Sequence, residues 1–571
     1  MRRIRAALTL AAALTLCISL SLCLALTGGA QAASTPAAVE AEHGMVVTSQ
    51  RIASAVGAGI LTAGGNAIDA AVAVGYALAV VEPCCGNLGG GGFMTIHLAD
   101  GRNTFINFRE TAPAAANARM YLDAAGQPVP RLSRLGYLAA GVPGTVMGLD
   151  RAMREYGTLP RTALLAPAIS LARNGFVLTR DDTDLLDAKA DQLAKDPGAA
   201  RIFLRPDGSR FKPGDRLIQR DLAATIEAIA KDGPDAFYTG KIAALVAQAS
   251  RANGGILTPR DFADYTATEG APLSWTYRGY ALISTPPPSS GGTTICEILN
   301  ILEGYDLKAS GFHSPRSVEL MVAAMRRGYA DRNAFLGDPA FVANPLDRLL
   351  SKSYAAGIRA AIDAGSGGPA GSPGGAGERA ETTHYSVVDG TGNAVSVTYT
   401  INGYFGAEVV APGTGFLLNN EMDDFTAKPG APNLFGLAQG APDAIAPGKR
   451  PLSSMAPSLV EKNGHIVLVL GSPGGARIIT TVLETLINSI DYDMSPAQAV
   501  AAPRLHYQGQ PDKLFYEHGG LPPPTIAALV ENGYTLAPQK PWGAVELIAV
   551  DGARLYGVSD PRRPGGAAIG Y

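Results

Sequence analysis

Cysteine and histidine are scarce in this chain, which has 5 of the first and 7 of the second among 571 residues. Cys17 and Cys23 fall in an N-terminal leader, leaving Cys84, Cys85 and Cys296, an odd set with one adjacent pair that makes no disulfide framework. The histidines show no H-x-x-x-H spacing and have no C-x-x-C nearby, so no metal site is expected. Charge is thin as well: 17% of residues, with a formal net of −3 and no basic stripe to track a phosphate backbone. Nucleic acid is excluded as a partner. A G-x-S-x-G sequence is also absent, which removes the nucleophile elbow of the serine hydrolases.

What is present is apolar and loop-rich. Hydrophobic residues make up 47%, with 68 glycines and 40 prolines, a globular composition able to form a sizeable core. The length suggests two to four domains, unless one large sandwich absorbs most of the chain. Residues Met1-Arg2-Arg3-Ile4-Arg5, an apolar run to about Leu26, and Ala30-Gln31-Ala32 have the three-part layout of an export signal, with removal expected after Ala32. A retained anchor is the competing reading of the run, and the small-residue cleavage site argues against it. The mature protein is therefore expected to be soluble and periplasmic or secreted.

From Ser49 to Pro83 the pattern predicts two helices broken at Gly64-Gly65-Asn66, the second, "AIDAAVAVGYALAVV", apolar all round and hence buried. "GNLGGGGFMTIHLADGRNTFINFRE" alternates on both sides of Asp100-Gly101-Arg102-Asn103 and predicts a hairpin. Its glycines feed a strand rather than a helix, so they are read as close backbone packing and not as a dinucleotide fingerprint. Residues 140–330 read as mostly helical, broken by "STPPPSSGGTT" (Ser284 to Thr294), whose prolines and glycines argue against a regular element. From Ala361 to about Glu381, Gly, Ala, Ser and Pro predominate, as in a mobile tether.

The tether runs into "THYSVVDGTGNAVSVTYT", an alternating Val/Thr/Tyr pattern around Asp389-Gly390-Thr391-Gly392-Asn393 that predicts a second hairpin. With its turn centred on Thr391, Thr382 faces Thr400, and opposed residues on one face bring their Cβ atoms about 5 Å apart. Asn402 shares that face. Strands follow near "GFLLNN" and "HIVLVLGSP". In "GSPGGARIITT" a Gly-Gly pair then hands a strand to a helix, where unpaired N–H groups suit an anion or an oxyanion, or else a tight turn.

"GNLGGGGFM", "FRETAP", "PPPSSGG", "TTHYSVV", "LLNNEMDDF", "KRPLSSM" and "GSPGGARIITT", in this order and spacing from about Glu42 to Tyr571, closely resemble the γ-glutamyltranspeptidases of the N-terminal-nucleophile hydrolase superfamily. The resemblance implies an α+β fold, a four-layer αββα sandwich. It also implies one precursor cut between Glu381 and Thr382 into a large subunit (33–381) and a small one (382–571) that stay paired as a heterodimer. Thr382 would then be both nucleophile and, through its freed α-amine of reference pKa about 7.7–8.0, its own base. Donors would be glutathione and other γ-glutamyl compounds, with water or amino-acid and peptide amines as acceptors and no cofactor.

By the same resemblance Thr400 holds the nucleophile, Gly474 and Gly475 form the oxyanion hole, and Arg109 with Ser453 and Ser454 binds the glutamyl α-carboxylate. Glu421, Asp424 and Asn402 bind its α-ammonium. In the lid "DDFTAKPGAPNLFGLAQG", Phe435 stands where well-known bacterial members have Tyr, which removes a hydroxyl from the closure. His384 is expected on the face opposite Thr400, as a structural residue. The competing activity on the same fold is a cephalosporin (glutaryl) acylase. Its substrate lacks the α-amine, so Glu421 and Asp424 disfavour it.

Overall fold

Short alternating segments supply fourteen strands that pair into two sheets. In chain order these are β1 (Val39–Ala41), β2 (Gly44–Thr48), β3 (Gly91–His97), β4 (Asn103–Asn107), β5 (Thr268–Gly270), β6 (Leu273–Tyr277) and β7 (Tyr280–Ser284). They continue as β8 (Thr383–Asp389), β9 (Ala394–Thr400), β10 (Ser458–Lys462), β11 (His465–Leu470), β12 (Glu546–Asp551), β13 (Arg554–Ser559) and β14 (Ala567–Gly570). The computed structural model describes residues 37–365 and 382–571. The leader at 1–32, Glu381 and most of the tether lie outside the described residues.

One sheet has the order β1-β13-β12-β11-β10-β7-β6, and the other β14-β2-β8-β9-β3-β4-β5. Both faces of the second sheet are buried along β8 and β9, and the alternation sorts them. Odd-numbered Tyr385, Val387, Val395, Val397 and Tyr399 pack with helices α1 (Arg51–Thr62), α2 (Ala67–Val81), α3 (Thr145–Tyr156) and α4 (Arg161–Asn174). Even-numbered Val388 and Ala394 meet Ile283, Leu459, Val469 and Ile548 between the sheets. The outer face of the first sheet is covered by α5 (Gly291–Leu302), α6 (Pro315–Phe335), α7 (Lys352–Asp363) and α8 (Arg477–Ile490). Helix, sheet, sheet and helix thus form four layers. Each fully buried Val, Ile or Leu in them contributes about 1.5–3 kcal/mol.

The sequence expectations hold for α1 and α2 and for both hairpins. The wholly buried α2 starts at an Asn66–Asp69 capping box. Four details differ. "GFLLNN" makes isolated bridges, Gly89 to Leu418 among them, and no strand, because its backbone bonds go singly to different segments, to Val409, Ala407 and Gly89. Helix α5 begins at Gly291, inside the stretch read as irregular, since the Pro-rich part ends before Ser290. Helix α7 runs to Asp363, so the segment expected to be tether from Ala361 opens with helical residues. Residues 268–284, within the stretch read as helical, form β5 to β7.

Candidate active site

The hairpin of β8 and β9 has the register that puts Thr383 opposite Tyr399, and therefore Thr382 opposite Thr400. The two hydroxyls meet: Thr382 Oγ1 donates to Thr400 Oγ1 at 3.2 Å, and the Asn402 N–H donates to the same acceptor at 2.8 Å. Both threonines are buried. Asn402 takes a positive φ of 78° to turn the chain away from the sheet, and its Nδ2 donates to the Asn420 carbonyl at 3.0 Å.

Adjacent residues of a strand point to opposite faces. Thr383 accordingly leaves the site and donates to Glu82 Oε2 at 2.6 Å, while Ser49 lies 3.0 Å from the same hydroxyl and Arg563 pairs with Glu82. The first threonine thus faces the pocket while the second anchors the strand on its other side. A larger cavity of about 780 Å³ opens on the Thr383 side, walled by Ser49, Glu82, Tyr404 and Arg563, and does not include Thr382.

His384 is two residues along from Thr382 and shares its face, contrary to the expectation above, because a period of two returns every second side chain to one side. Its ring nitrogens bind the Thr398 hydroxyl at 2.8 Å and the Ser386 hydroxyl at 3.2 Å. Burial pushes its pKa down to about 3, so the ring is neutral. With both nitrogens engaged and the Gly471 backbone against it, it is held as a structural residue.

Gly474 and Gly475 lie just before α8, with φ of 137° and 55°. Among the described residues no acceptor lies on either N–H, and Gly475 lines a pocket with Thr382, Thr400 and Asn402. The same pocket is lined by Arg109, Glu421, Asp424, Ser453, Ser454 and Phe435. All these positions named from sequence therefore converge, with Gly474 beside the lining Gly475; Glu381 lies outside the described residues.

The electrostatics centre on Arg109, which is fully buried at the end of β4. Its two terminal nitrogens pair with Glu421 and Asp424, and its Nε donates to the Pro451 carbonyl at 3.1 Å. Burial raises the pKa of Glu421 and of Asp424, with Arg109 opposing the shift in each. Glu110, 3.7 Å from Arg109 and without a hydrogen-bond partner among the described residues, is pushed by burial up to about 8. The sequence reading missed Glu110 as part of this cluster, although it adjoins Arg109 in "FRETAP". It also missed Arg332, which enters from α6 and donates to Ser454 Oγ at 3.2 Å. No local pattern marks that residue.

The pocket has a free volume of about 20 Å³, no more than a water molecule needs. A group larger than a few atoms does not fit beside Phe435 and Leu437 as they stand. What the arrangement can hold is a zwitterion. An ammonium can take the place of Arg109 on the two carboxylates while a carboxylate takes up the released guanidinium fork, so each buried charge keeps a partner.

Three comparisons bear on this geometry. A family model described as gamma-glutamyltranspeptidase matches residues 53–570. The chain is 52% identical over 555 residues to a glutathione hydrolase proenzyme of Pseudomonas sp. (strain A14), covering 94% of this chain and 96% of that protein. It is 48% identical over 539 residues to the glutathione hydrolase proenzyme of Escherichia coli (strain K12), covering 93% of each. Among solved structures, the cephalosporin acylase from Bacillus halodurans superposes with a TM-score of 0.83 at 28% identity, over 95% of this chain and 99% of that one. With the four layers and the threonine pair at the mouth of a charged pocket, these matches place the chain in the gamma-glutamyltranspeptidase family.

Proposed function

We propose that this chain is the precursor of an exported γ-glutamyltransferase and glutathione hydrolase that cuts itself between Glu381 and Thr382. The observation that carries the reading is the Thr382–Thr400 hydroxyl pair opening into the same pocket as the Arg109–Glu421–Asp424 cluster. Cleavage gives Thr382 a free α-amine. With a reference pKa of about 7.7–8.0 that amine accepts the hydroxyl proton near neutral pH.

Thr382 Oγ1 attacks the γ-carbonyl carbon of a donor such as glutathione. The C–O bond forms, the carbonyl electrons move to an oxyanion facing the N–H groups of Gly474 and Gly475, and the C–N bond then breaks as the amine leaves with the proton. Each such donor is worth about 10²–10³ in rate. Water, or the amine of an amino acid or peptide, attacks the resulting ester and releases Thr382. The α-carboxylate of the donor is held by Arg109, Ser453 and Ser454, and the α-ammonium by Glu421, Asp424 and Asn402. Among the described residues no helix is long and apolar enough to cross a membrane.

A glutaryl acylase is the second reading, supported by the likeness to the Bacillus halodurans enzyme. Two carboxylates poised for an ammonium that glutaryl lacks count against it. The deciding experiment is Edman sequencing of the smaller band on a denaturing gel together with release of p-nitroaniline from matched donors. A sequence beginning Thr-Thr-His-Tyr-Ser, and faster release from γ-glutamyl than from glutaryl anilide, is expected. An uncut chain, or preference for glutaryl, would overturn the reading.

A further inference from the structure

Arg332 sits near the C-terminal end of α6 with its side chain 1% exposed. Among the described residues no carboxylate lies within ion-pair distance of it. Its contacts are all neutral: Nε donates to Ser290 Oγ at 2.9 Å, Nη1 to Asn333 Oδ1 at 2.9 Å and to Gln439 Oε1 at 2.6 Å, and Nη2 to Ser454 Oγ at 3.2 Å. These use four of the five N–H groups of a guanidinium, and the remaining Nη2 hydrogen has no acceptor among the described residues. A buried cation without a counter-ion in contact is costly, and the carboxylates that act on this one, Asp443 and Asp424, do so only from beyond ion-pair distance. Arg109 differs, because its two terminal nitrogens are already matched by Glu421 and Asp424.

We propose that Arg332 is a second cationic determinant for the α-carboxylate of the donor, acting beside Arg109 and through the two serines. The inference rests on the γ-glutamyl reading above. Because Ser454 Oγ accepts from Arg332, its own hydrogen is left to donate elsewhere. Ser290, fixed by Nε, donates through both its N–H (2.8 Å) and its hydroxyl (2.6 Å) to the Ser453 carbonyl. One side chain of the large segment thereby orients both serines of the small one, and it also reaches the lid through Gln439. Gln439 in turn donates to the Asp424 carbonyl at 2.7 Å. A carboxylate entering between Ser453, Ser454 and Arg109 supplies the counter-ion that Arg332 lacks.

The test compares two p-nitroanilide donors on the mature enzyme, γ-glutamyl and 4-aminobutyryl, which differ only in the α-carboxylate. In Arg332→Gln the ratio of their kcat/KM values should fall at least tenfold, with the loss in the γ-glutamyl arm carried mainly by KM, and Arg332→Lys should recover part of it. Should Arg332→Gln fail to fold or to cut itself, Gln439→Glu decides the matter. That change keeps the guanidinium in place but gives it a carboxylate, and the same fall in ratio is expected. A ratio unchanged in the variants that fold, even with both donors slowed equally, would show a purely structural role and overturn the proposal. Failure of the wild-type enzyme to release p-nitroaniline from the γ-glutamyl donor would instead sink the donor reading, and this inference with it.

Discussion

Two glycine runs border the site, and glycine does a different job in each. Residues 89–92 are crowded: a Cβ added at Gly89 would lie 2.0 Å from the Leu417 carbonyl oxygen, and one at Gly90 would lie 1.9 Å from that of Thr400. The absence of side chains lets β3 press against the end of the β8–β9 hairpin and against the segment that carries Glu421. Gly474 has room, since its Cβ would meet nothing nearer than 3.6 Å, but its φ of 137° is one that L side chains rarely adopt. The first run is required for space and the second for backbone direction. A motif of identical residues can thus serve assembly in one place and chemistry in another, and only the neighbours tell them apart.

The comparison breaks most visibly at the first run. Gly90→Ala forces a methyl group into a backbone oxygen, at a cost of about 4 kcal/mol or more, and should leave no correctly cut, soluble enzyme; a normal pair of bands on a denaturing gel would refute the crowding argument. Gly474→Ala should do the reverse. Strain of about 1–2 kcal/mol for the unfavourable φ leaves a folded, cut protein whose melting temperature drops only modestly. Its kcat should fall by about 10²–10³ as the N–H groups leave the oxyanion. If instead kcat holds and the melting temperature collapses, the two runs do the same job.

A third test sharpens the contrast by reading the charged end of the pocket alone. Burial raises the pKa values of Glu421 and Asp424, so their ionised forms, which an ammonium needs, are lost as pH falls through those raised values. Activity on γ-glutamyl donors should therefore rise with pH more steeply than activity on a glutaryl donor, which has no ammonium for those two carboxylates to hold. Parallel pH profiles of kcat/KM would remove Glu421 and Asp424 from ammonium binding. The smallest effect is expected at the lid above the second run. Phe435→Tyr restores one hydroxyl, worth about 0.5–1.5 kcal/mol if it finds a partner, and should shift the ratio of transfer to hydrolysis by about 2–10-fold, measured as product partition with glycylglycine as acceptor.

Much of this was legible in the sequence where local pattern governs. The alternation around Asp389–Asn393 was enough to place Thr382 against Thr400, because strand register follows from the turn. The same rule, misapplied by one step, put His384 on the wrong face. The roles of Arg109, Glu421 and Asp424 came only by resemblance, since their meeting depends on a loop and a strand end more than 300 residues apart. The adjacent Cys84 and Cys85 prove to be bonded to each other, a pairing that their count alone could not indicate. With Glu82 they form a grouping of metal-ligand types among the described residues, but sulfurs joined in a disulfide are not thiolates and the set is not a metal site. Arg332 was beyond reach of any pattern, since it is one polar residue on a long helix and three of its four partners, Ser290, Gln439 and Ser454, come from elsewhere.

In the sheet of order β14-β2-β8-β9-β3-β4-β5, strands from before residue 365 and after residue 382 are shuffled together, and β8, which begins one residue past Thr382, is flanked by β2 on one edge and β9 on the other. The cut proposed before Thr382 would sever no rung of either ladder among the described residues. Such a cut would also fix a timetable: the polypeptide would knit both sheets while still continuous, since two fragments released beforehand would each carry unzipped edges and half a core. Maturation by the proposed route would be a one-way ratchet, in which the scar left at Thr382 would record that folding had already finished.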